Sequence, residues 1–284
     1  MTEVTLVLSG GGAKATAHLG AVRALRETGL EPTRFVGTSM GAVMGTMLAA
    51  GLTPEAVFEL VRGVRRHDVA RVSAAALVQG LFATALLHAE PLQRTLARLL
   101  PVTEFGQLRW PLTVTTADLD SGELVCFGDG GEDAPLLTVL YAACALPLWY
   151  PPETWQGRRL ADGGLRGVLP LQVAARFPTD LVVAVDAGPG FDTVPAEGRL
   201  APPPLIRMHN DSTNVLMADN TELELALWRA TPGRPPMLYI RPTVERGATF
   251  ALHHLERYEE AGYAAAKETL MQLSDQTLYP GIVP

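Results

Sequence analysis

Gly37-Thr38-Ser39-Met40-Gly41 lies between the apolar pair Phe35-Val36 and a run of small and apolar residues, 42–50, that ends at Gly51. This order predicts a short strand, a tight turn and a helix, because the glycines beside the turn leave room for a sharp change of direction. Ser39 would stand exposed at the turn, with its hydroxyl at the positive end of the helix, where an anionic intermediate is favoured. The pentapeptide alone also fits an ordinary strand-to-helix turn, so the neighbouring sequence has to decide.

A glycine-rich turn of the same kind opens the chain. Residues 4–9 form an apolar strand pattern that breaks at Gly10-Gly11-Gly12-Ala13-Lys14, and a helix pattern follows. Strand, glycine loop and helix begin a right-handed βαβ unit, and the strand before Ser39 is its next element. Both turns are therefore expected at one edge of a parallel sheet, at the carboxyl ends of their strands, where open α/β sheets bind ligands.

Residues 53–105 carry an Ala/Leu-rich helical pattern without a strand signal. We expect a helical, cap-like insertion here. Its apolar residues 77–87 are candidates for a cover over an apolar substrate, and ordinary packing against the body of the domain is the alternative. Elsewhere strands and helices alternate to the end of the chain, with neither an internal repeat nor a linker. A single α/β domain over residues 1–284 is the simplest account.

Charge and cysteine usage narrow the choice of partners and compartment. The net charge is −7, and the basic residues cluster only at Arg62, Arg65 and Arg66, which argues against nucleic acid as the main partner. Apolar contact with a membrane surface stays open. Cys126 and Cys144 fit a reduced protein in which each thiol is a small buried group. With no signal-peptide pattern, we expect a cytoplasmic protein, with peripheral contact at the inner membrane surface left open.

A serine hydroxyl becomes a nucleophile only when a base accepts its proton, so Ser39 needs a partner. Asp162 is the stronger candidate, because it follows a short strand pattern and precedes Gly163-Gly164, which let the backbone turn while the carboxylate stays accessible. The alternative is a plain Asp-Gly turn. None of the six histidines sits in a glycine-rich turn after the last strands, where a Ser-His-Asp triad would place it: His18, His67, His88, His209, His253 and His254.

The glycine loop offers hydrogen-bond donors for an oxyanion, which a serine-aspartate pair lacks. Unhindered N–H groups in a turned backbone form a concavity that holds an oxyanion. Lys14 would orient the loop or contact a phosphate head group. Nucleotide binding is the rival interpretation, but the loop lacks the Gly-x-x-x-x-Gly-Lys-Ser/Thr spacing, and no acidic residue ends the next strand to hold a ribose. The spacing of Asp118, Asp120 and Glu123 does not match a calcium loop, so no metal is expected.

These three signals stand in the order found in the patatin-like phospholipase family, which the chain resembles. The family's motifs appear here as Gly10-Gly11-Gly12-Ala13-Lys14-Ala15, Gly37-Thr38-Ser39-Met40-Gly41 and Asp162-Gly163-Gly164. Residues 142–147, 163–171 and 259–263 are also similar to family segments. Two departures are Ala15, where the family has glycine, and Ala143-Cys144, where it has a serine-containing pair. We expect Ala15 to leave the loop intact with slightly less freedom, and Ala143-Cys144 to affect packing only.

The resemblance implies a patatin-like three-layer α/β/α fold with a mainly parallel central sheet and a helical insertion. It implies a lipid acyl hydrolase of phospholipase A or lysophospholipase type that acts on a fatty acyl ester or phospholipid through an acyl-enzyme intermediate, without metal or organic cofactor. Substrate would enter over the carboxyl edge of the sheet, beneath residues 77–87 and near residues 148–150.

The roles that the resemblance implies fall on seven residues. Ser39 is the nucleophile, Asp162 the general base, and the N–H groups of Gly11, Gly12 and Met40 the oxyanion hole, while Gly10 and Lys14 support the loop and the substrate. Two alternatives stay open. One is an acyltransferase to a carrier or an alcohol, for which a serine-histidine pair would be expected. The other is a non-catalytic binding protein for a phosphate-bearing ligand.

Overall fold

An eight-stranded sheet forms the centre of the computed structural model, which describes residues 2–190, 203–245 and 249–276. The order across the sheet is β5-β6-β3-β2-β1-β7-β8, with β4 paired to β3 outside this path. Strands β3, β2, β1, β7 and β8 run parallel, which confirms the mainly parallel sheet. The strands are β1 (Val4–Leu8), β2 (Arg34–Thr38), β3 (Leu112–Asp118), β4 (Leu124–Gly128), β5 (Glu153–Trp155), β6 (Arg158–Asp162), β7 (Leu181–Val185) and β8 (Met237–Ile240).

Helices cover both faces of this sheet. On β1, Leu6 and Leu8 belong to one buried apolar cluster and Val7 to a second, as the two-residue period of a strand requires. The first cluster is completed by α1, α2, α6, α7 and α10, and the second by α8 and α9, which confirms three layers. The helices are α1 (Ala17–Glu27), α2 (Met40–Ala49), α3 (Pro54–Arg62), α4 (Arg66–Val69), α5 (Ala74–Gln79), α6 (Ala89–Leu99), α7 (Leu136–Cys144), α8 (Leu171–Ala174), α9 (Pro204–Ala230) and α10 (Leu255–Gln276).

Two strands that run in opposite directions meet end to end along β3. Strand β4 pairs with residues 113–117 of β3 and so occupies one edge of that strand. On the other edge, β2 pairs with residues 112–115 and β6 with residues 116–118. Because β2 is parallel and β6 antiparallel to β3, their carboxyl ends face each other at adjacent positions. Ser39, just after β2, and Asp162, the last residue of β6, are brought together in this way.

Residues 53–105 are largely helical, with α3 to α6 and one short 3₁₀ turn, and a second 3₁₀ turn begins at Phe105. An isolated bridge between Val72 and Leu87 closes the excursion that contains α5. At the tip of that excursion Val78 and Phe82 are 89% and 91% exposed. Within the described ranges, no helix is both long enough and apolar enough to cross a lipid bilayer.

The structure adds one strand that the sequence pattern does not predict. Strand β5 has three residues and, among the described strands, pairs with β6 alone at the margin of the sheet. Its sequence, Glu-Thr-Trp, follows Pro151-Pro152 and is too short to show an alternating pattern. Strands β5 and β6 therefore form a small hairpin at the margin of the sheet.

Candidate active site

The backbone at Ser39 has the geometry of a sharp strand-to-helix elbow. Ser39 has φ 54° and ψ −133°, a conformation rarely adopted by residues with a side chain, and α2 begins at the next residue. The flanking glycines are required by space. A Cβ at Gly37 would lie 2.6 Å from the Cα of Ala42, and one at Gly41 would lie 2.5 Å from the carbonyl oxygen of Leu8. The Gly-x-Ser-x-Gly pattern is thus explained by the close approach of α2 to β1 and β2.

Gly41→Ala is expected to lower the free energy of unfolding by about 1–3 kcal/mol and to reduce any activity of the site, because the added methyl group meets backbone atoms that cannot move aside. Chemical denaturation measures the first effect. Gly106→Ala is the matched control, since a Cβ at Gly106 meets nothing within 4 Å. Equal stability of the two variants would contradict the steric account.

The Ser39 hydroxyl donates a hydrogen bond to Asp162, with 2.7 Å between Oγ and Oδ2. The second carboxylate oxygen of Asp162 accepts a hydrogen bond from the Gly164 N–H at 2.8 Å. Asp162 is only 4% exposed. Burial raises the pKa of Asp162 from an ordinary value near 3.8 to about 6, and the bonds from Ser39 and Gly164 oppose this rise. At neutral pH the carboxylate is therefore charged and has an unusually high affinity for a proton.

Three N–H groups beside this pair find no acceptor among the described residues: those of Gly11, Gly12 and Met40. The N–H of Gly10 differs, because it donates to the carbonyl of Val168 at 3.0 Å. Gly12 has φ +59° and packs against Thr249, so only glycine fits there. The loop and the first turn of α2 thus present unpaired donors to the pocket that contains Ser39.

Ser9 and Lys14 connect the glycine loop to the residues that follow β7. The Ser9 hydroxyl donates to the carbonyl of Gly10 at 3.0 Å and accepts from the N–H of Ala187 at 2.8 Å. Lys14 is buried, and its ammonium group contacts the carbonyl of Gly188 at 3.5 Å. Lys14 also lines the pocket. Lys14 therefore contacts the loop that follows β7 and also borders the pocket in front of Ser39.

A buried carboxylate fixes the loop that Lys14 contacts. Asp186 accepts hydrogen bonds from the N–H of Gly188 at 2.9 Å and from the hydroxyl of Tyr239 at 2.9 Å. It also forms an ion pair with Arg241 at 2.7 Å. Arg241 donates in addition to the carbonyl of Gly188 at 3.2 Å. Residues 186–188 are thereby held against the back of the glycine loop.

Histidine does not contribute to the described lining of this pocket. His18 is buried, and its Nε2 lies 2.9 Å from the carbonyl oxygen of Ser9. Burial lowers the pKa of His18 to about 4, so this ring is neutral at physiological pH. The rings of His253 and His254 contact each other at a tilt of 45°, with centroids 3.9 Å apart. The Ser39 hydroxyl donates its hydrogen bond to the carboxylate of Asp162, and histidine takes no part in that bond.

The pocket in front of Ser39 has a volume of about 150 Å³ and a mainly apolar lining. Cys144 is part of this lining, with its sulfur 4.0 Å from that of Met40, and both cysteines are free thiols. Burial raises the pKa of Cys144 well above its usual range. Apolar lining residues come from α2, α3, the end of α4, α6 and the loops beside α4 and α7: Met44, Val61, Val64, Val69, Leu92, Leu96, Leu99, Leu146 and Tyr150.

The expected cover over the substrate has to be corrected. None of the described side chains of residues 77–87 lines the pocket, and Val78 and Phe82 are exposed. The wall is built by α3, the end of α4 and α6 instead. Tyr150 does line it, in agreement with the expected position of residues 148–150. An apolar helical pattern shows that a segment packs somewhere, but not which neighbour it packs against.

Several lining residues have no signal in the sequence. Asn214 and Met217 reach the pocket from the long helix α9, and Thr249 and Phe250 reach it from the segment before α10. They lie far from the three motifs along the chain and carry no pattern of their own.

For metals, no cluster of three or more His, Cys, Asp or Glu residues with suitable placement occurs in the described part of the chain.

Fold and site together define an α/β protein with a serine elbow, a glycine-loop donor site and a buried aspartate. Residues 6–175 match the sequence profile described as patatin-like phospholipase. The match covers more than half of the chain, and the chain therefore belongs to the patatin-like phospholipase family.

Among similar proteins, an uncharacterized NTE family protein of Mycobacterium tuberculosis is 34% identical over 198 residues, which cover 68% of this chain and 52% of the relative. Human patatin-like phospholipase domain-containing protein 6 is 26% identical over 192 residues, 67% of this chain and 14% of that protein. The chain thus spans about half the length of the mycobacterial relative and much less of the human one.

Solved structures with a similar course of the chain include VipD from Legionella pneumophila and human GIVD cytosolic phospholipase A2. VipD has a TM-score of 0.48 and 15% identity, and the matched region covers 95% of this chain and 67% of the VipD chain. The phospholipase has a TM-score of 0.44 and 12% identity, and the matched region covers 98% of this chain and 62% of the phospholipase chain.

Proposed function

We propose that this protein is a lipid ester hydrolase in which Ser39 and Asp162 form a catalytic dyad. The observation that carries the proposal is the 2.7 Å hydrogen bond from the Ser39 hydroxyl to a buried carboxylate whose affinity for protons is raised. Membership of the patatin-like phospholipase family supports the same reaction class. The apolar lining of the pocket suits an acyl chain.

Acylation begins when the Ser39 Oγ attacks the carbonyl carbon of the ester and its proton passes to Asp162 Oδ2. The carbonyl oxygen becomes an oxyanion, and the free N–H groups of Gly11, Gly12 and Met40 are the donors proposed to hold it. When the tetrahedral intermediate collapses, the bond to the alcohol oxygen breaks and Asp162 returns the proton to that oxygen. The products of this half are the free alcohol and acyl-Ser39.

Deacylation repeats these steps with water as the nucleophile. Asp162 takes a proton from a water molecule as the water oxygen attacks the acyl carbon, and the same donors hold the second oxyanion. Collapse breaks the bond to Ser39 Oγ, which recovers its proton from Asp162. A free fatty acid leaves, and the dyad is restored without a metal or an organic cofactor in any step.

The pH dependence of kcat/KM is expected to follow the ionisation of Asp162. Only the carboxylate can accept the serine proton, and burial raises the pKa of Asp162 to about 6. Activity should therefore rise with pH, be half-maximal near pH 6 and level off above pH 7. Initial rates with a soluble ester from pH 4.5 to 9 measure this profile. Half-maximal activity near pH 4 would contradict the raised pKa of Asp162, and a rate that does not change between pH 4.5 and 9 would show that Asp162 is not the base.

Product analysis with purified protein tests the proposed reaction. An acyl ester is supplied together with glycerol and pantetheine as acceptors, in the presence of EDTA, and the acyl products are separated by chromatography. Free fatty acid as the main product supports hydrolysis. Acylated glycerol or pantetheine as the main product would indicate a transferase. Ester binding without turnover, together with affinity for inorganic phosphate, would support the non-catalytic alternative.

A further inference from the structure

The lining of the pocket in front of Ser39 divides into two sets by burial, which we call the buried end and the open end. At the buried end lie Val61, Leu92, Leu96 and Leu99, each no more than 5% exposed. At the open end lie Pro189, Asn214, Met217, Thr249 and Leu252, all partly or largely exposed. The ends differ in composition as well, because polar side chains join the lining at the open end.

The buried end starts directly beside the proposed nucleophile. Met44 lies one helical turn after Met40 on α2, is 1% exposed and lines the pocket. The open end also begins beside the dyad, where the Met217 side chain lies 3.3 Å from the Cβ position of Gly164, two residues after Asp162. An ester carbonyl at Ser39 thus lies next to both the buried apolar lining and the exposed lining.

The polar groups in the wall of the buried end are already paired. The Thr95 hydroxyl donates to the carbonyl of Asp68 at 2.8 Å, and the Tyr150 hydroxyl donates to the carbonyl of Val69 at 2.6 Å. Both bonds hold the end of α4 in the wall. Leu92, Thr95, Leu96 and Leu99 form one face of α6 with helical spacing. The lining therefore offers hydrocarbon contact with little to hydrogen-bond, which favours an alkyl chain over a polar group.

The size of this space limits the alkyl chain. The whole pocket has a volume of about 150 Å³, and an apolar protein cavity of about 150 Å³ holds one benzene molecule, about six carbons. A chain of about sixteen carbons would need more than twice that space. Val61, Leu92, Leu96 and Leu99 in this wall are each no more than 5% exposed.

Building on the proposed hydrolase, we propose that the buried end is a closed acyl chamber that selects short acyl chains. Esters with acyl chains of about four to eight carbons fill it, on the scale of the cavity comparison. Longer chains would have to leave part of the chain outside it. The alcohol portion of the ester lies toward the open end, beside Asn214 and Thr249. Leu96, which is 1% exposed in the wall, is a residue that determines chain length.

Rates with monomeric p-nitrophenyl esters from two to sixteen carbons test the chamber. For the wild type, kcat/KM should be highest at four to eight carbons and at least about tenfold lower at twelve, because one methylene that does not fit a pocket already changes kcat/KM by about tenfold or more. A wild-type optimum at twelve to sixteen carbons overturns the chamber while leaving the hydrolase intact. Complete inactivity toward every ester, with Ser39 unlabelled by a fluorophosphonate, overturns the hydrolase itself.

Two variants at Leu96 sharpen the test. Leu96→Ala enlarges the chamber and should raise the ratio of kcat/KM for twelve carbons over four carbons by about tenfold or more. Leu96→Phe fills it and should move the optimum to shorter chains. Leu25→Ala is the matched control, because Leu25 is also buried in an apolar cluster but does not line the pocket. An unchanged profile in a folded Leu96 variant overturns the assignment, and the wild-type profile decides the question if neither variant folds.

Discussion

Ser39→Ala is expected to reduce kcat for ester hydrolysis by about 10⁵- to 10⁶-fold, the largest effect of any single substitution in this chain. Without the hydroxyl no acyl-enzyme can form, and removal of the nucleophile from a serine hydrolase costs on the order of 10⁶-fold. The variant should keep the stability of the wild type within about 1 kcal/mol, because the positive φ at residue 39 is retained. Rates with a p-nitrophenyl ester and a thermal unfolding curve measure both quantities.

Ser121→Ala is the matched control for this substitution. Ser121 lies in the exposed turn between β3 and β4, where its hydroxyl accepts a hydrogen bond from the N–H of Glu123 at 3.2 Å. This variant should keep the full rate. If Ser39→Ala retained more than about one per cent of the wild-type rate in a preparation free of contaminating esterase, Ser39 would not be the nucleophile.

Asp162→Asn is expected to lower kcat by about 10³- to 10⁴-fold. An asparagine can keep the hydrogen bond from Gly164 and the packing of the buried site, but it cannot accept the proton of Ser39. The loss should be smaller than for Ser39→Ala, because the hydroxyl and the oxyanion donors stay in place. The rise of activity around pH 6 should disappear together with the carboxyl group. A variant with normal kcat and the wild-type pH profile would exclude Asp162 as the base.

The stability of Asp162→Asn provides the control for correct folding. Since the pKa of Asp162 is raised in the folded state, its contribution to stability is fully present below pH 3.8 and is lost as pH rises through about 6. At pH 8 the buried charge then costs the wild type up to about 3 kcal/mol. Asp162→Asn should be at least as stable as the wild type at pH 8. Denaturation curves at pH 5 and pH 8 measure this difference.

Local patterns in the sequence predict the strands, the helices and the three motifs well, since each depends on residues that are neighbours along the chain. The glycines beside Ser39 and the free donors of the loop follow from turn chemistry alone. The meeting of Ser39 with Asp162 is different. It depends on β2 and β6 sharing one edge of β3, and strand pairing between distant segments leaves no mark in a single sequence.

The residues that line the pocket show the same limit of prediction from a single sequence. Leu92, Leu96 and Leu99 are predictable as one apolar face of a helix, but the sequence does not indicate that this face lines a pocket rather than the core. Residues 77–87 are equally apolar, yet none of their described side chains lines the pocket, and Val78 and Phe82 are exposed. Side chains that complete the opening, such as Asn214 and Met217, are placed there only by the path of α9.

Covalent labelling is the most direct test of the claim that Ser39 is a nucleophile activated by Asp162. Wild type, Ser39→Ala and Asp162→Asn are incubated with an alkyl fluorophosphonate, and peptide mass spectrometry locates the adduct. We expect a single adduct on Ser39 in the wild type, none in Ser39→Ala, and labelling slowed by at least about 10²-fold in Asp162→Asn. An adduct on another residue, or an active wild type without any adduct on Ser39, would contradict the dyad.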